Sequence, residues 1–514
     1  MSISKIAILK AAKNETTSFQ IFVSSESEFV VFDIEKAILT GHGGAVIGIE
    51  NIIMYREHSV NITTPTYRNT TFVGGWYPDA LIPFEHQITR LDPVDPKFIA
   101  VPFTVQRNKR QGFWVDIFVP KGTADGQYSG VFVVVTSKGS FNVLVNLTVW
   151  NFELPDTMSM KTNICYPPGA VLEKIYPIFG KVNTDWPATY TQIADELRKC
   201  YIDVPVTGIS LVPVLHEGTY QFSSDTAKNL QKLIDKYYKN TVYIQSPAKT
   251  ISDPIINIDQ LRNFLAAYDK LAIDVGRDVD YITYLFDEPA TFADYEFIRR
   301  WGKAVHECKT ILMVLVTEQT KPQNSDWGDL YGAVDIFVSL FPLYDDATAS
   351  ERRKGGDENW CYTALAQGIQ ESPWWSTDRP TLNYRIPFWI AWRYAITGIL
   401  YWGGMVHWHN CDDPFTQSVT HTVSDTCKFN GEGTMFYPSW PLGFDGVIPS
   451  IRVKAFRDGI RDYEYMMILE RAGKRDEAMA IITSLATSWF EWEKDPKAID
   501  LAREQLAALI LEGV

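Results

Sequence analysis

Asp287 and Glu288 stand side by side before Pro289, at the end of an apolar run from Tyr281 to Phe286 (Tyr-Ile-Thr-Tyr-Leu-Phe). A β-branched and aromatic run that stops in two carboxylates reads as a buried strand delivering acids to its C-terminal end. Paired carboxylates with unlike tasks suit glycosidic bond cleavage: one protonates the leaving oxygen, the other stabilises positive charge near the anomeric carbon. Consecutive residues of a regular strand face opposite sides, so both acids can serve one pocket only if the strand is ending there. Pro289 supports that ending, because it lacks an N–H and disfavours helix at Glu288. Adjacent acids cannot take opposite faces of a sugar ring as an ordinary acid and nucleophile would. The spacing therefore favours substrate assistance, in which a 2-acetamido oxygen attacks the anomeric carbon. Asp287 would orient and stabilise the charged acetamido group, and Glu288 would act as acid and then base. In the competing arrangement, Asp287 caps a helix starting near Phe292 and Glu288 is solvated.

The surrounding pattern is that of a multidomain chain, as 514 residues exceed one core. Residues 1–155 show short alternating segments such as Ser18–Val23, Trp114–Val119, Val131–Val135 and Asn142–Val149, which predict an all-β sandwich beginning with a strand at Met1–Ala12. Residues 156–410 alternate strand-length apolar runs with helical segments, the signature of a parallel sheet. Eight strands are predicted, at Thr162–Tyr166, Val206–Val212, Thr241–Gln245, Tyr281–Phe286, Ile311–Val316, Val334–Leu340, Trp360–Thr363 and Gly398–Trp402. Eight strands over this length predict a (β/α)8 barrel, whose C-terminal strand ends carry catalytic groups. Residues 411–514 read as a loop and C-terminal helices packed on the barrel.

Beyond this spacing, Tyr284-Leu-Phe-Asp-Glu-Pro289 resembles the catalytic stretch of glycoside hydrolase family 123, the β-N-acetylgalactosaminidases, or of a closely related barrel family sharing its C-terminal element. Gly75–Pro83 and Gln111–Pro120 look like that family's N-terminal sandwich, and Arg393–Trp402 with Pro449–Tyr465 like its last barrel strand and following helix. The resemblance implies a retaining, metal-free, cofactor-free hexosaminidase with Asp287 as stabiliser and Glu288 as acid/base, acting on β-linked N-acetylgalactosamine. Another β-N-acetylhexosaminide, an internal glycan linkage and a non-catalytic carbohydrate-binding protein remain the alternatives.

Candidate sugar-binding residues are Trp360 and Tyr362 on the seventh strand, Trp402 on the eighth, Glu318 just past the fifth, and His407. Alternation puts Trp360 and Tyr362 on one face and lets at most one of Tyr401 and Trp402 point inward. Tyr284 is expected to fill a barrel layer. Arg452 and Arg457 are expected to pair with acids inside their own segment. His407, His409, Asp412 and Asp413 lack a companion metal motif, so no metal is expected. The implied partner is a glycan or glycoconjugate. A net charge of −14 disfavours nucleic acid, no stretch reaches the roughly 20 apolar residues of a membrane span, and the oligomeric state is not legible. Absence of a signal-like leader gives a cytoplasmic expectation, or a secreted one if a leader has been removed. Cys411 and Cys427 could close a loop disulfide or stay free thiols.

Overall fold

The computed structural model describes residues 5–85, 95–164, 168–178, 180–181, 184–365, 371–405 and 407–513. The period-two segments of the N-terminal region pair into two sheets. One runs Ile6–Lys13, Gly139–Glu153, Gly126–Thr136, Phe29–Glu35, Phe103–Val105, with Leu39–Gly41 and Val46–Ile47 on its flank. The other runs Glu15–Ser24, Arg110–Val119, Ile52–Ile62, Gly75–Pro83. Leu9, Val31, Phe132 and Leu147 of the first pack on Ile21, Met54, Val115 and Ile117 of the second, which forms the core between the two sheets of a sandwich.

Seven parallel strands follow, in the spatial order Lys161–Ile164, Gly398–Tyr401, Glu358–Tyr362, Ile336–Leu340, Met313–Val316, Asp280–Phe286, Thr241–Ile244. They form a nearly closed barrel. The expected strand at Val206–Val212 is not there among the described residues, which corrects the count of eight. Pro205 and Pro213 bracket the segment and donate no hydrogen bond, and Gly208 is left-handed at φ +72°. Side chains at its start stand in for a ladder. The Asp203 amide donates to Thr162 Oγ1 at 2.8 Å, while the Asp203 carboxylate accepts from the Thr241 amide at 3.2 Å. Both edge strands are thus tied to the same residue.

Inside the barrel, Ile282, Leu315, Ile336, Val338, Trp360 and Leu400 form one core. Outside it, Leu285, Val314, Val316 and Phe337 pack against Phe264, Tyr295, Ile298 and Trp301 of the helices Ile258–Val275 and Phe292–Glu307. Among the described residues no helix is long and apolar enough to cross a membrane. Cys411 and Cys427 are free thiols, so the loop disulfide is not formed; Cys165 lies outside the described residues.

The helix Ile451–Arg471, capped by Ser450 on the Val453 amide, lies against the outer face of the four-stranded sheet. That face carries acids and hydroxyls in place of a solvated surface. Arg452 forms a two-point pair with Asp79 at 2.9 and 2.8 Å, and Lys454 and Arg457 share Asp116 at 2.8 and 3.0 Å. Arg452, and Arg457 in part, therefore pair across to the sandwich rather than within their own segment, which corrects the sequence expectation. Burial opposes ionisation of Asp116, yet Arg457 and Lys454 outweigh it and hold the carboxyl well below the usual range.

Removing one partner of a buried pair strands the other charges, typically at a cost of about 3–5 kcal/mol. Asp116→Ala is accordingly expected to lower the thermal midpoint markedly, whereas Asp125→Ala, at an exposed acid of the same domain, leaves it within about a degree. Differential scanning fluorimetry of the two variants checks this.

Candidate active site

The strand Asp280–Phe286 buries Tyr281, Ile282 and Leu285, ends on the half-buried Phe286 and releases Asp287 and Glu288 into solvent. Glu288 takes a left-handed conformation at φ +48°, unusual for a non-glycine residue and of a kind concentrated at functional sites. This kink breaks the strand's alternation and lets neighbouring acids share one rim. The helix that follows, Phe292–Glu307, is capped by Thr291, which accepts from the Asp294 amide at 3.2 Å. Asp287 is therefore free of capping duty.

Each acid has its own anchor. Asp287 Oδ1 accepts from Tyr284 Oη at 2.6 Å and from Thr317 Oγ1 at 2.8 Å. Glu288 Oε1 accepts from Tyr362 Oη at 2.5 Å. Thr317 Oγ1 also accepts from the Glu288 amide at 2.8 Å, so one hydroxyl fixes the carboxylate of one acid and the backbone of the other. Burial, reinforced by the neighbouring carboxylates, pushes the phenols of Tyr284 and Tyr362 well above their ordinary range, which keeps both as donors. Beside Asp287 opens a cavity of about 510 Å³, lined by Val206, Tyr243, Gln245, Lys249 and Tyr284 among others. The 206–212 segment that fails to join the ladder lines one side of it through Val206, Ile209, Leu211 and Val212, and its volume falls within the usual size of a small-molecule site, about 300–1,000 Å³.

Of the predicted sugar-binding residues, Tyr362 reaches the acids and Trp360 does not. Trp360 shares Tyr362's inward face, but it lies one layer lower and is fully buried over Gly398. A Cβ on Gly398 would sit 2.1 Å from its indole, and Trp360 Nε1 donates to Glu358 at 3.1 Å, toward the start of the strand. Trp402, two residues past the inward Leu400, is half-buried at the mouth and donates to Glu432 Oε1 at 2.9 Å. Tyr401 is buried in the outer core, against which the half-buried Trp402 also packs, and their ring centroids lie 6.1 Å apart. His407 lies with its ring centroid 5.2 Å from Trp402 and 4.9 Å from His421. Burial, then the nearby His421 and His409, lowers it to about 4, so it is neutral near pH 7. Among the described residues no three His, Cys, Asp or Glu side chains gather as metal ligands would.

Glu318 is 3% exposed rather than set in the open to meet a hydroxyl. Its oxygens accept from the Gln319 amide at 2.9 Å and from Gln323 Nε2 at 2.5 Å, and Gln323 also donates to the Pro289 carbonyl at 2.9 Å. The residue thus fastens the loop beneath the acids. Sequence reasoning missed Thr317, Tyr284 as a donor, His421 and Glu432. Thr317, immediately past its strand, was open to the same strand-end argument as Glu318.

Residues 225–469 match the family model described as "Glycoside hydrolase 123, catalytic domain". A solved family 123 glycoside hydrolase from Clostridium perfringens, studied for glycolipid glycan hydrolysis, superposes with a TM-score of 0.67 at 15% identity. The overlap covers 99% of this chain and 93% of that one. A family 10 endo-β-1,4-xylanase from Gloeophyllum trabeum gives 0.31 at 10% identity, over 59% of this chain and 96% of that one. No curated protein matches the chain.

Two outcomes follow from this geometry. Hydrogen bonds to charged groups are worth about 1.5–3 kcal/mol, and about 1.4 kcal/mol is tenfold in rate. Thr317→Val should therefore cut turnover roughly 10- to 100-fold, with circular dichroism unchanged. Burial raises the Glu318 carboxyl from 4.5 to about 7 against the pull of its hydrogen bonds. The folded state then binds its proton more tightly than the unfolded chain, and stability falls as pH rises from 4.5 to 7. Thermal midpoints measured from pH 4.5 to 8 should fall less steeply for Glu318→Gln than for the parent; equal slopes would refute the assignment.

Proposed function

With a glycoside hydrolase 123 catalytic domain at residues 225–469 as the premise, we propose that this glycosidase removes β-linked N-acetylgalactosamine from a glycoconjugate, with retention and with the substrate's own 2-acetamido group as nucleophile. The observation that carries this reading is the adjacency of Asp287 and the left-handed Glu288, each held by a different phenol. An acid and a protein nucleophile would have to approach the sugar from opposite faces. Two neighbours on one rim are better matched to a nucleophile that the substrate brings.

In the first step the acetamido carbonyl oxygen attacks C1, and the bond from C1 to the leaving oxygen breaks as Glu288 gives that oxygen its proton. Asp287, fixed by Tyr284 and Thr317, hydrogen-bonds the acetamido N–H and stabilises the charge that develops on the resulting oxazolinium ring. In the second step Glu288 takes a proton from water as the water oxygen attacks C1, which opens the ring and restores the acetamido group. Tyr362 holds Glu288 Oε1 during both transfers, and Trp402 offers a face on which the sugar ring can stack. The glycolipid context of the Clostridium perfringens enzyme makes a lipid-linked glycan a sensible first natural substrate.

General acid help is worth typically 10²–10⁴-fold. Glu288→Gln should lose about that much on substrates with poor leaving groups and far less on activated nitrophenyl glycosides, and equal losses on both would contradict the assignment. Asp287→Asn should depress both. The nitrophenyl β-galactoside lacking the 2-acetamido group should be a very poor substrate; its turnover at the rate of the acetamido compound would overturn substrate assistance.

A further inference from the structure

Glu432 is fully buried in the turn Gly431-Glu-Gly433, and sequence reasoning gave it no part. Its Oε1 accepts from Trp402 Nε1 at 2.9 Å and from Tyr401 Oη at 3.3 Å, while Tyr401 Oη accepts from the Gly433 amide at 2.7 Å. Its Oε2 has no hydrogen-bond partner among the described residues. A buried carboxyl with one oxygen unmatched is a poor source of stability, since an apolar residue of similar size would avoid the desolvation. What the carboxyl does achieve is to fix both aromatic side chains at the end of the last barrel strand.

The turn itself is immobilised from two sides. Against the strand end, the Gly404 amide donates to the Gly433 carbonyl at 2.7 Å, and a Cβ on Gly403 would meet the Gly433 Cα at 2.3 Å. From the helix Ile451–Arg471, Arg452 Nη1 donates to the Gly431 carbonyl at 3.0 Å while its other nitrogens hold Asp79 of the sandwich. The Trp402 indole hangs from this frame at the mouth. Leu400, two residues before it, is paired in register with Tyr362, whose phenol holds Glu288.

We propose that Glu432 is the positioning residue that fixes the Trp402 indole at the barrel mouth as the platform for the sugar ring. The inference rests on the assignment of Trp402 as that platform and goes beyond it. A carboxyl that accepts the indole N–H sets the ring's rotation about its side-chain bonds, so the stacking face is in place before substrate arrives. Binding then need not order it.

The test uses the full chain and the nitrophenyl 2-acetamido-2-deoxy-β-galactoside, with Trp402→Ala, Glu432→Ala, Glu432→Gln and the Trp402→Ala/Glu432→Ala pair. Glu432→Ala should raise KM about 10-fold with kcat within about threefold. Glu432→Gln, whose amide oxygen can still accept from the indole, should recover most of that KM. The double variant should match Trp402→Ala alone, because the two residues act as one unit. Near-ultraviolet circular dichroism supplies a readout without substrate: the band lost in Trp402→Ala should also be lost in Glu432→Ala and kept in Glu432→Gln. A merely structural Glu432 would lower the thermal midpoint and the active fraction while leaving the KM of folded enzyme unchanged, and that result overturns the proposal. An unchanged KM in Trp402→Ala would remove the platform, and Glu432's role with it. A Trp402 effect unaccompanied by a Glu432 effect would remove Glu432's role alone.

Discussion

The row of buried cations on the helix Ile451–Arg471 is the constraint on which the assembly depends. Arg452, Lys454 and Arg457 are each 2% exposed or less, and charges cannot be taken from water at that depth unless opposite charges meet them there. The helix can lie where it does because the four-stranded sheet presents Asp79 and Asp116 on what would otherwise be its solvent face. The pairing specifies one docking register: a shift of the helix by a single turn would leave three cations and two acids unmatched. Sandwich and barrel are thus coupled by geometry, with apolar contacts such as Tyr55, Leu81 and Ile451 filling between the pairs.

The same helix reaches the mouth of the barrel. Arg452 divides its donors between Asp79 and the carbonyl of Gly431, and the turn begun by Gly431 carries Glu432 beneath Trp402. A contact made for docking therefore ends one residue from Glu432, the partner of the candidate sugar platform. The N-terminal domain contributes no group to the Asp287 and Glu288 cluster among the described contacts, yet it helps set the position of the opposite wall.

Much of the site was legible because its signals are local. The strand Asp280–Phe286 announced itself by composition, its ending by Pro289, and its candidate chemistry by two carboxylates. Alternation correctly turned Tyr362 and Trp360 to the same face. It could not give depth along the strand, and two residues, about 6.6 Å at the usual rise, separate a side chain touching Glu288 from one sealed over Gly398. Val206–Val212 failed for a related reason: its composition is that of a strand, but pairing needs donors in sequence, and two prolines with a left-handed glycine remove that regularity. The buried ion pairs were the least legible part. Asp79 and Arg452 are separated by 373 residues, and nothing in the local pattern of either says that an acid on a sheet's outer face will be covered.

Adjacency of the two acids also bears on how they can differ. Residues next to each other share nearly the same field from the rest of the barrel, so unlike roles have to come from contacts within a few ångströms. Here the left-handed turn at Glu288 sends the carboxylates to different partners: Asp287 to a phenol and a hydroxyl that both donate to one oxygen, Glu288 to a phenol from a strand three places away in the sheet. Thr317 stands between them, and by accepting from the Glu288 amide it holds the strained turn that makes the separation possible. The backbone strain and the separation of the two carboxylates onto different partners therefore have one source, and a barrel with the same two acids on a regular strand end would present them to different sides of the wall.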